Sequence, residues 1–168
     1  MPSICLVLAT ATNETVEFLS HCYTTPEIRG WFQPCRQVSP KDIREEVGTA
    51  DAKRKLTFLV KEDGLPIGYA YARYVSALNH HEIGVTLTPS ARGRGIGSAT
   101  HQLLVNRLFG EYQARQLIAY VSTRNEAEKK ALLHCGFRLE KTLRQAGRIG
   151  NEWHDLAIYG LLATEPPS

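Results

Sequence analysis

Apolar residues recur along this chain in two patterns, short runs typical of strands and a wider spacing typical of one helix face. The runs predict strands over residues 4–10, 56–60, 67–75, 81–87, 117–121, 137–143 and 153–162. The wider spacing predicts helices over residues 13–23, 40–47, 96–109 and 125–135. The sequence therefore predicts a fold that mixes strands with helices, of the α/β (α+β) class.

Turn and cap residues mark where these elements begin and end. Asn13 is the predicted cap of the first helix, and Pro40 stands at the favoured first position of the second. The turn Glu62-Asp63-Gly64 predicts an antiparallel hairpin between its two flanking strands. Gly110 and Gly136 are predicted to end the two later helices.

Length and composition fit one globular domain. The chain has 168 residues, of which 43% are apolar and 22% are charged. We expect a single domain over residues 1–168, with a flexible tail over residues 163–168. No apolar run approaches the roughly 18 residues of a membrane span, and the N-terminus lacks the basic start of a signal peptide. These features predict a cytoplasmic protein that does not contact a membrane.

The cysteines do not form a recognisable framework. Cys5, Cys22, Cys35 and Cys135 are separated by 17, 13 and 100 positions and include no CxxC pair. We therefore predict no zinc site and no other metal centre. Two disulfides are formally possible, but isolated cysteines in a domain of this length are more often buried apolar side chains.

Charge is distributed unevenly along the chain. Residues 85–150 carry 11 Lys and Arg against 4 acidic residues, a net charge of +7. The segment before it has a net charge of −1, and the segment after it has −3. The basic segment predicts a site for a polyanion, either a phosphorylated cofactor or a nucleic acid. A solvated basic face is the alternative.

A glycine-rich segment lies between the predicted strand over residues 81–87 and the following helix. Residues 92–98 read Arg-Gly-Arg-Gly-Ile-Gly-Ser, in which alternating glycines let the backbone approach a ligand. Free N–H groups at the helix start favour an anion. The segment lacks the Gly-Lys-Ser/Thr ending of a P-loop and the third glycine of the dinucleotide fingerprint. A structural turn with incidental arginines is the alternative.

These residues resemble motifs of the GCN5-related N-acetyltransferase (GNAT) superfamily. Arg92-Gly93-Arg94-Gly95-Ile96-Gly97 is similar to its Gln/Arg-x-x-Gly-x-Gly/Ala pyrophosphate-binding motif. Asn125-Glu126-Ala127 and then Gly136-Phe137 resemble its second motif at the usual spacing. The end of the chain, with Trp153-His154-Asp155, looks most like the branch of ribosomal-protein N-terminal and small-amine acetyltransferases. The resemblance covers about residues 4–162.

The resemblance implies a mixed, mostly antiparallel sheet that is splayed into a V, flanked by helices, and holds acetyl-CoA in the splay. It implies acetyl transfer to a primary amine of a small molecule or a peptide N-terminus, by a monomer or homodimer. Backbone N–H near Thr86 or Leu87 would then stabilise the oxyanion. The cofactor-binding residues that it implies are Val85, Thr86, Leu87, Arg92, Gly93, Arg94, Gly95, Ile96, Gly97, Ser98 and Asn125.

Acetyl transfer to nitrogen requires the amine in its neutral form. A lysine-like amine with a pKa of about 10.4 is only ~0.1% neutral near pH 7.4, so it benefits from a base. Glu82 is the predicted general base because it is the acid closest in sequence to the implied acyl-binding backbone. A solvated carboxylate is the alternative for Glu82. His80 and His81 could do the same work or lie in a surface loop.

The proton for the departing thiolate has no obvious source. In many members of the resembled family a tyrosine stands at the position of Leu132, and leucine cannot donate a proton. Ser122 and Tyr159 are candidate acids by position, with structural roles as the alternative. Unassisted departure is also open, because a thiol pKa near ~8.5 makes the thiolate a fair leaving group.

Aromatic residues and one acid are candidates for the acceptor site. Trp31-Phe32 lies in a Pro-rich loop, where a lid or pocket suits the pair better than the core does. Tyr69, Tyr71 and Trp153 could line the same site or belong to the core. Asp155 could pair with a cationic substrate.

Two other functions are compatible with the same fold. The donor could be an aminoacyl-tRNA, with the basic segment binding RNA phosphates. The chain could also be a non-catalytic acyl-CoA-binding module, which the leucine at position 132 motivates. The intact Arg92–Gly97 motif favours acetyl-CoA as the donor.

Overall fold

The computed structural model describes residues 2–30 and 33–165. Its strands are β1 (Ile4–Leu8), β2 (Lys55–Glu62), β3 (Leu65–Val75), β4 (His80–Leu87), β5 (Gln116–Ser122), β6 (Arg138–Ile149) and β7 (Glu152–Leu162). They form one seven-stranded sheet in the order β1-β2-β3-β4-β5-β7-β6. Each predicted strand is present, and the predicted mixed, mostly antiparallel sheet is confirmed.

Five α-helices accompany the sheet in the described chain. They are α1 (Asn13–Thr24), α2 (Pro26–Arg29), α3 (Pro40–Gly48), α4 (Ile96–Gly110) and α5 (Glu126–His134). All four predicted helices are among them. Within residues 2–30 and 33–165, no helix is long and apolar enough to cross a bilayer.

The predicted cap of α1 is wrong by one residue. The hydroxyl of Thr12 accepts a hydrogen bond from the N–H of Thr15 at 3.2 Å, which makes Thr12 the cap. Asn13 is the first residue of the helix, and its side-chain oxygen accepts from Arg44 at 2.6 Å. A reciprocal capping box at Ser39 starts α3, as the sequence pattern indicates.

The short helix α2 has no counterpart among the predicted elements. It has only four residues, which is too few to show a helical period. Its buried residue, Ile28, packs with the cluster that includes α1 and α3. Arg92 donates from Nη2 to the carbonyl oxygen of Ile28 at 2.6 Å, so α2 is tied to the glycine-rich loop.

The sheet opens between β4 and β5. These neighbours run parallel, whereas the other adjacent strands run antiparallel. In the described chain two residue pairs join them, His81 with Leu117 and Glu82 with Ile118. Beyond Glu82 the strands diverge, which confirms the V-shaped splay that the resemblance implied.

Alternate residues of β2 and β3 build a separate core on each side of the sheet. On one side Phe58 belongs to the cluster that includes Leu104 and Leu108 of α4. On the other side Leu59 and Tyr69 pack with buried residues of α1 and α3. The helices therefore cover both faces of the sheet beside the opening.

The last hairpin is longer and less regular than predicted. Strand β6 continues past residue 143 but is irregular between Leu143 and Gly147. Gln145 has a φ of 48°, and its N–H donates to Oδ1 of Asp155 at 2.8 Å. Asp155 therefore stabilises this irregular backbone.

The end of the described chain is bound to the sheet. The N–H of Ala163 donates to the carbonyl oxygen of Arg115 at 3.0 Å, and Glu165 pairs with Arg138 at 3.2 Å. Ala163 and Glu165 of the predicted flexible tail are thus bonded to the sheet, and residues 166–168 lie outside the described residues.

The prediction that the cysteines are buried is wrong for two of the four. Cys22 and Cys135 are buried, whereas Cys5 and Cys35 are exposed, and all four are free thiols. Cys5 is exposed because it alternates along the edge strand β1 with residues that pack against the core, and Cys35 because it lies in the irregular connection between α2 and α3.

We predict that Leu104→Ala lowers the free energy of unfolding by about 2–5 kcal/mol, because it leaves a cavity between α4 and the sheet. Leu104 is 0% exposed. Leu133→Ala is the matched control, since Leu133 is 53% exposed, and its effect should stay within about 0.5 kcal/mol. Urea unfolding followed by circular dichroism measures both, and equal losses would contradict this packing.

Candidate functional site

A cleft of about 370 Å³ lies where β4 parts from β5. Its walls are the end of β4, the segment around α2, the glycine-rich loop and the start of α5. We call it the splay cleft. Its lining residues are Ile28, Arg29, Gly30, Gln33, Val85, Thr86, Leu87, Arg92, Gly93, Gly95, Gly97, Ser98, Asn125, Ala127, Glu128 and Ala131.

The glycine-rich loop turns the chain from β4 into α4. Gly93 and Gly95 have φ values of 70° and 77°, in the left-handed region that favours glycine. Gly95 caps α4, so the N–H groups of the first turn have no partner within the helix. In the described chain, no atom lies within 4 Å of the place where a Cβ would stand on Gly93, Gly95 or Gly97. The loop therefore leaves room for a ligand to approach its backbone closely, as an anion site at a helix start requires.

The two arginines of this loop have different partners. Arg92 lines the cleft and donates to the carbonyl oxygens of Leu87, at 3.1 Å, and Ile28, at 2.6 Å. These bonds hold the guanidinium without neutralising its charge. Arg94 instead pairs with Glu62 of β2, at 3.1 Å, and that hydrogen bond raises the pKa of Arg94. Of the two, Arg92 supplies positive charge to the cleft.

The backbone of β4 directs alternate N–H groups into the cleft. The N–H of Thr88 donates to the carbonyl oxygen of Ile67 at 2.8 Å. The antiparallel register then directs the N–H of Thr86 toward β3 as well. The N–H groups of Val85 and Leu87 point the opposite way, into the opening. Of the two implied oxyanion donors, the geometry favours Leu87 over Thr86.

The start of α5 forms the wall opposite β4. Asn125 caps this helix, and its side-chain oxygen accepts from the N–H of Glu128 at 3.2 Å. Glu128 also lines the cleft, and its Oε1 is 2.8 Å from Nε2 of His101. His101 is fully buried in α4. This pair holds α5 against α4 beside the cleft.

Tyrosine side chains pack on the sheet beside the cleft, on the side of α1 and α3, where Tyr23 and Tyr69 are buried. Tyr69 and Tyr71 of β3 lie beside Thr86 and Gly84 of β4. Tyr23 of α1 packs edge-on against Tyr69, with 5.1 Å between ring centroids. A Cβ on Gly84 would clash with the ring of Tyr71, so the glycine lets this ring lie across β4. We call Tyr23, Tyr69 and Tyr71 the tyrosine face.

Glu82 lies where β4 leaves β5, at the edge of the tyrosine face. Its carboxylate pairs with Arg73, and the hydroxyl of Tyr71 donates to its Oε1 at 3.4 Å. Burial and then the charge of Glu82 raise the pKa of Tyr71, so this hydroxyl stays protonated at neutral pH. Glu82 is not among the residues that line the splay cleft.

The two neighbouring histidines are buried, so their placement in a surface loop is wrong. His80 and His81 are 6% and 5% exposed, because they begin β4 and pair with β3. Burial lowers the pKa of His80. His81 donates from Nε2 to the carbonyl oxygen of Ala52 at 2.8 Å, away from the cleft lining.

Glu46 of α3 joins three polar side chains next to the tyrosine face. It accepts hydrogen bonds from Arg36 at 2.9 Å, from Lys55 at 2.9 Å and from Tyr23 at 3.0 Å. Burial raises the pKa of Glu46, but the hydrogen bond from Arg36 and the charge of Lys55 outweigh burial and lower it. The ionised carboxylate therefore fixes α3 against the sheet.

The structure brings most of the predicted cofactor residues together. Arg94 and Ile96 are the exceptions among the eleven, because Arg94 turns toward Glu62 and Ile96 is buried at the start of α4. Trp31 and Phe32 lie outside the described residues. The nine that line the cleft are Val85, Thr86, Leu87, Arg92, Gly93, Gly95, Gly97, Ser98 and Asn125.

The other predicted site residues lie away from the cleft lining. Ser122 has its hydroxyl 2.8 Å from Nδ1 of His154, and both side chains are buried. Tyr159 and Leu132 belong to the core on the α4 side. Asp155 is engaged with the backbone of β6, as described above.

Sequence reasoning missed the contribution of α2 and of Glu128. Arg29 and Gln33 line the cleft but fall in a segment without periodicity, so no local signal identifies them. Glu128 could have been found as the residue three positions after the cap Asn125. In the described part of the chain, no group of three His, Cys, Asp or Glu could hold a metal ion.

Comparison with known proteins identifies relatives by sequence. The model of the acetyltransferase (GNAT) domain family matches residues 5–138. A ribosomal-protein-serine acetyltransferase of Escherichia coli strain K12 is 30% identical over 106 residues, 62% of this chain and 59% of that protein. A phosphinothricin N-acetyltransferase of Streptomyces coelicolor is 28% identical over 144 residues, 86% of this chain and 79% of that protein.

Solved structures share the fold at lower sequence identity. A spermidine N-acetyltransferase from Vibrio cholerae, in complex with CoA and spermine, superposes with a TM-score of 0.80 at 16% identity, covering 95% of this chain and 96% of that one. A probable acetyltransferase superposes with a TM-score of 0.78 at 22% identity, covering 96% and 94%. In both, the similarity extends over nearly the whole sheet and its helices.

We predict that Glu46→Gln lowers the free energy of unfolding near pH 7 by about 2 kcal/mol, because two cations lose their carboxylate partner. The pKa of Glu46 is lowered in the folded state, so its contribution is complete above the unfolded pKa of about 4.3 and disappears as pH falls through the folded pKa. The difference between variant and wild type should therefore narrow in acid.

The matched control is Glu45→Gln on the same helix. The side chain of Glu45 is 67% exposed, so this change should stay within about 0.5 kcal/mol at every pH. Urea unfolding at a series of pH values measures both variants. A deficit for Glu46→Gln that stays constant into acid would contradict the assigned role.

Proposed function

The chain belongs to the GNAT family of acetyltransferases, and we propose that it transfers an acetyl group from acetyl-CoA to a primary amine of a small molecule or a peptide N-terminus. The splay cleft is the observation that carries this proposal. It combines a glycine-rich loop that is suited to an anion with N–H groups of β4 that have no strand partner among residues 2–30 and 33–165. A donor with a phosphate portion and an acyl end requires both features within one cleft.

The glycine-rich loop suits the pyrophosphate of the donor. First-turn N–H groups of α4 would donate to phosphate oxygens, and open space at Gly93, Gly95 and Gly97 allows close approach. Arg92 adds a charge that its carbonyl partners leave intact. Asn125, across the cleft, has its side-chain oxygen occupied by the helix cap, so its NH2 group would bind the pantetheine portion.

The acyl end of the donor would lie against β4. Acetyl-CoA, when bound, supplies an acetyl group activated as a thioester. The N–H of Leu87 would donate to the acetyl carbonyl oxygen and would bind it more strongly as negative charge develops there. The amine nitrogen forms a bond to the carbonyl carbon, the carbon–sulfur bond breaks, and the sulfur leaves with the electron pair.

Glu82 is the proposed general base. It would accept the proton of the amine through a water molecule, because its carboxylate stands at the apex of the splay and outside the cleft lining. Arg73 and Tyr71 hold the carboxylate in place. The departing thiolate would take its proton from water, since a thiol pKa near ~8.5 makes it a fair leaving group.

We predict that Gly97→Asp raises the Kd of acetyl-CoA by about 100-fold or more, because a carboxylate would face the pyrophosphate. An acidic residue in the first turn of a helix is favourable for folding, so unfolding would not account for the loss. Gly97→Ala is the matched control: its Cβ enters open space, and the change in Kd should stay below about 5-fold. Calorimetric titration measures both, and equal Kd values for the two variants would contradict this site.

The same titration separates the alternative functions. If the wild type does not bind acetyl-CoA, the proposal is wrong and an aminoacyl-tRNA becomes the better donor, with binding that weakens steeply as salt rises. If it binds acetyl-CoA but releases no thiol with any amine, the chain is a binding module. Binding together with amine-dependent thiol release supports the proposal.

We predict that Glu82→Gln lowers kcat/KM near pH 7 by about 100-fold for an alkylamine of pKa about 10. The loss should shrink as pH approaches the pKa of the amine, because the neutral amine then no longer depends on a base. Thiol release measured across pH tests this, with Glu45→Gln as the exposed acidic control. An equal loss at every pH would show that Glu82 positions the site and is not the base.

A further inference from the structure

Charges around the tyrosine face do not balance. The carboxylates there are Glu46 and Glu82, and the cations are Arg29, Arg36, Lys55 and Arg73. Arg36 and Lys55 share Glu46, and Arg73 pairs with Glu82. For Arg29, no carboxylate of residues 2–30 or 33–165 lies within 4.0 Å of the guanidinium. The surface therefore has an excess of positive charge, and Arg29 is the cation without an acidic partner.

Arg29 is held in a fixed position by neutral groups. Its Nε donates to the carbonyl oxygen of Pro34 at 3.0 Å, and its Nη1 donates to the hydroxyl of Tyr69. Neither acceptor neutralises the guanidinium. The bond from Arg92 to Ile28 anchors α2 immediately before this residue. A fixed guanidinium with donors to spare is suited to bind a carboxylate through two parallel hydrogen bonds.

Arg29 lies in the part of the splay cleft beside β4, where the acyl end of the donor would lie. It lines the cleft together with Gln33 and Thr86, and the hydroxyl of Thr86 is 3.4 Å from the side-chain oxygen of Gln33. Tyr69, which accepts from Arg29, is paired with Thr86 across β3 and β4. Thr86 stands between the two β4 residues whose N–H groups point into the opening. The pyrophosphate has a separate site in the glycine-rich loop.

From this charge pattern we infer that the acceptor is an amino carboxylic acid, a primary amine that also carries a carboxylate, and that Arg29 binds the carboxylate. This inference rests on the proposed acetyl transfer and narrows its acceptor. A carboxylate would supply the counter-charge that the tyrosine face lacks, and it would leave the amine directed toward the acyl end of the cleft. A polycationic amine would meet unfavourable positive charge at the same place.

The test compares amino acids with their amides in the wild type and in Arg29→Gln. L-methionine, L-phenylalanine and L-glutamate are each paired with the corresponding α-amide, and spermine serves as the polycationic probe. We expect the ratio of kcat/KM between acid and amide to fall about 10- to 100-fold in Arg29→Gln for the pair that the wild type uses best. An amino acid and its amide differ in amine pKa, but this difference affects the acid-to-amide ratio equally in the wild type and in the variant. It therefore cancels when the two ratios are compared.

Two further variants and one binding measurement complete the test. Arg29→Lys retains the charge without the planar guanidinium, so its ratio should lie between those of the wild type and Arg29→Gln. Arg44→Gln is the matched control, because Arg44 contacts Ala11 and Asn13 away from the splay cleft. It should leave the ratio unchanged. The Kd of acetyl-CoA should change by less than about 3-fold in Arg29→Gln.

The outcomes distinguish the inference from the proposed function. Faster acetylation of amides or spermine, with a ratio that Arg29→Gln does not alter, would overturn the inference and leave acetyl transfer standing. If Arg29→Gln raises the Kd of acetyl-CoA by as large a factor as it lowers the acid-to-amide ratio, Arg29 binds the donor. That result would overturn the inference. Acetyl-CoA binding without acetylation of any of the amino acids would overturn the inference, whereas the proposed function falls only if no amine of any class releases thiol.

Discussion

The short parallel contact between β4 and β5 is the constraint on which the rest of the structure depends. In the part of the chain that the structure describes, two residue pairs join these strands, and beyond Glu82 each strand has backbone groups without a strand partner on that side. Unpaired backbone groups inside a fold must bind water, side chains or a ligand. The opening is therefore a polar edge within an otherwise continuous sheet. The glycine-rich loop, α2 and α5 all face this edge, which is why a single cleft collects residues distant in sequence.

Arginines join neighbouring elements by binding main-chain carbonyls. Arg92 joins the end of β4 to α2, and Arg107 of α4 donates to the carbonyl oxygen of Leu6 in β1 at 2.8 Å. A carbonyl satisfies the guanidinium donors but leaves the charge in place, whereas Glu62 neutralises Arg94. The basic segment over residues 85–150 therefore serves partly as scaffold. Of its arginines, Arg92 lines the cleft, and it binds carbonyls.

The parts of the site that are local in sequence could be predicted, and the parts assembled from distant segments could not. The glycine-rich loop combines strand end, turn and helix start within a few residues, so its geometry follows from neighbouring residue types. Arg29 has no such signal, because it reaches the cleft only when α2 packs beside β4. Ser122 and Tyr159 are candidate acids by position alone, with structural roles as the alternative, and packing buries both.

The sequence by itself determined the seven strands, four of the five α-helices of the described chain, the order in which they follow one another and the location of the glycine-rich loop. Apolar spacing and turn residues specify these features because they act over a few positions. Only the tertiary structure decided that β4 leaves β5 after Glu82, that Glu46 gathers Arg36 and Lys55, and that Arg29 has no carboxylate partner in the described chain. Those outcomes depend on how separate elements pack together, and electrostatic pairing is established only when folding brings the groups within a few ångströms.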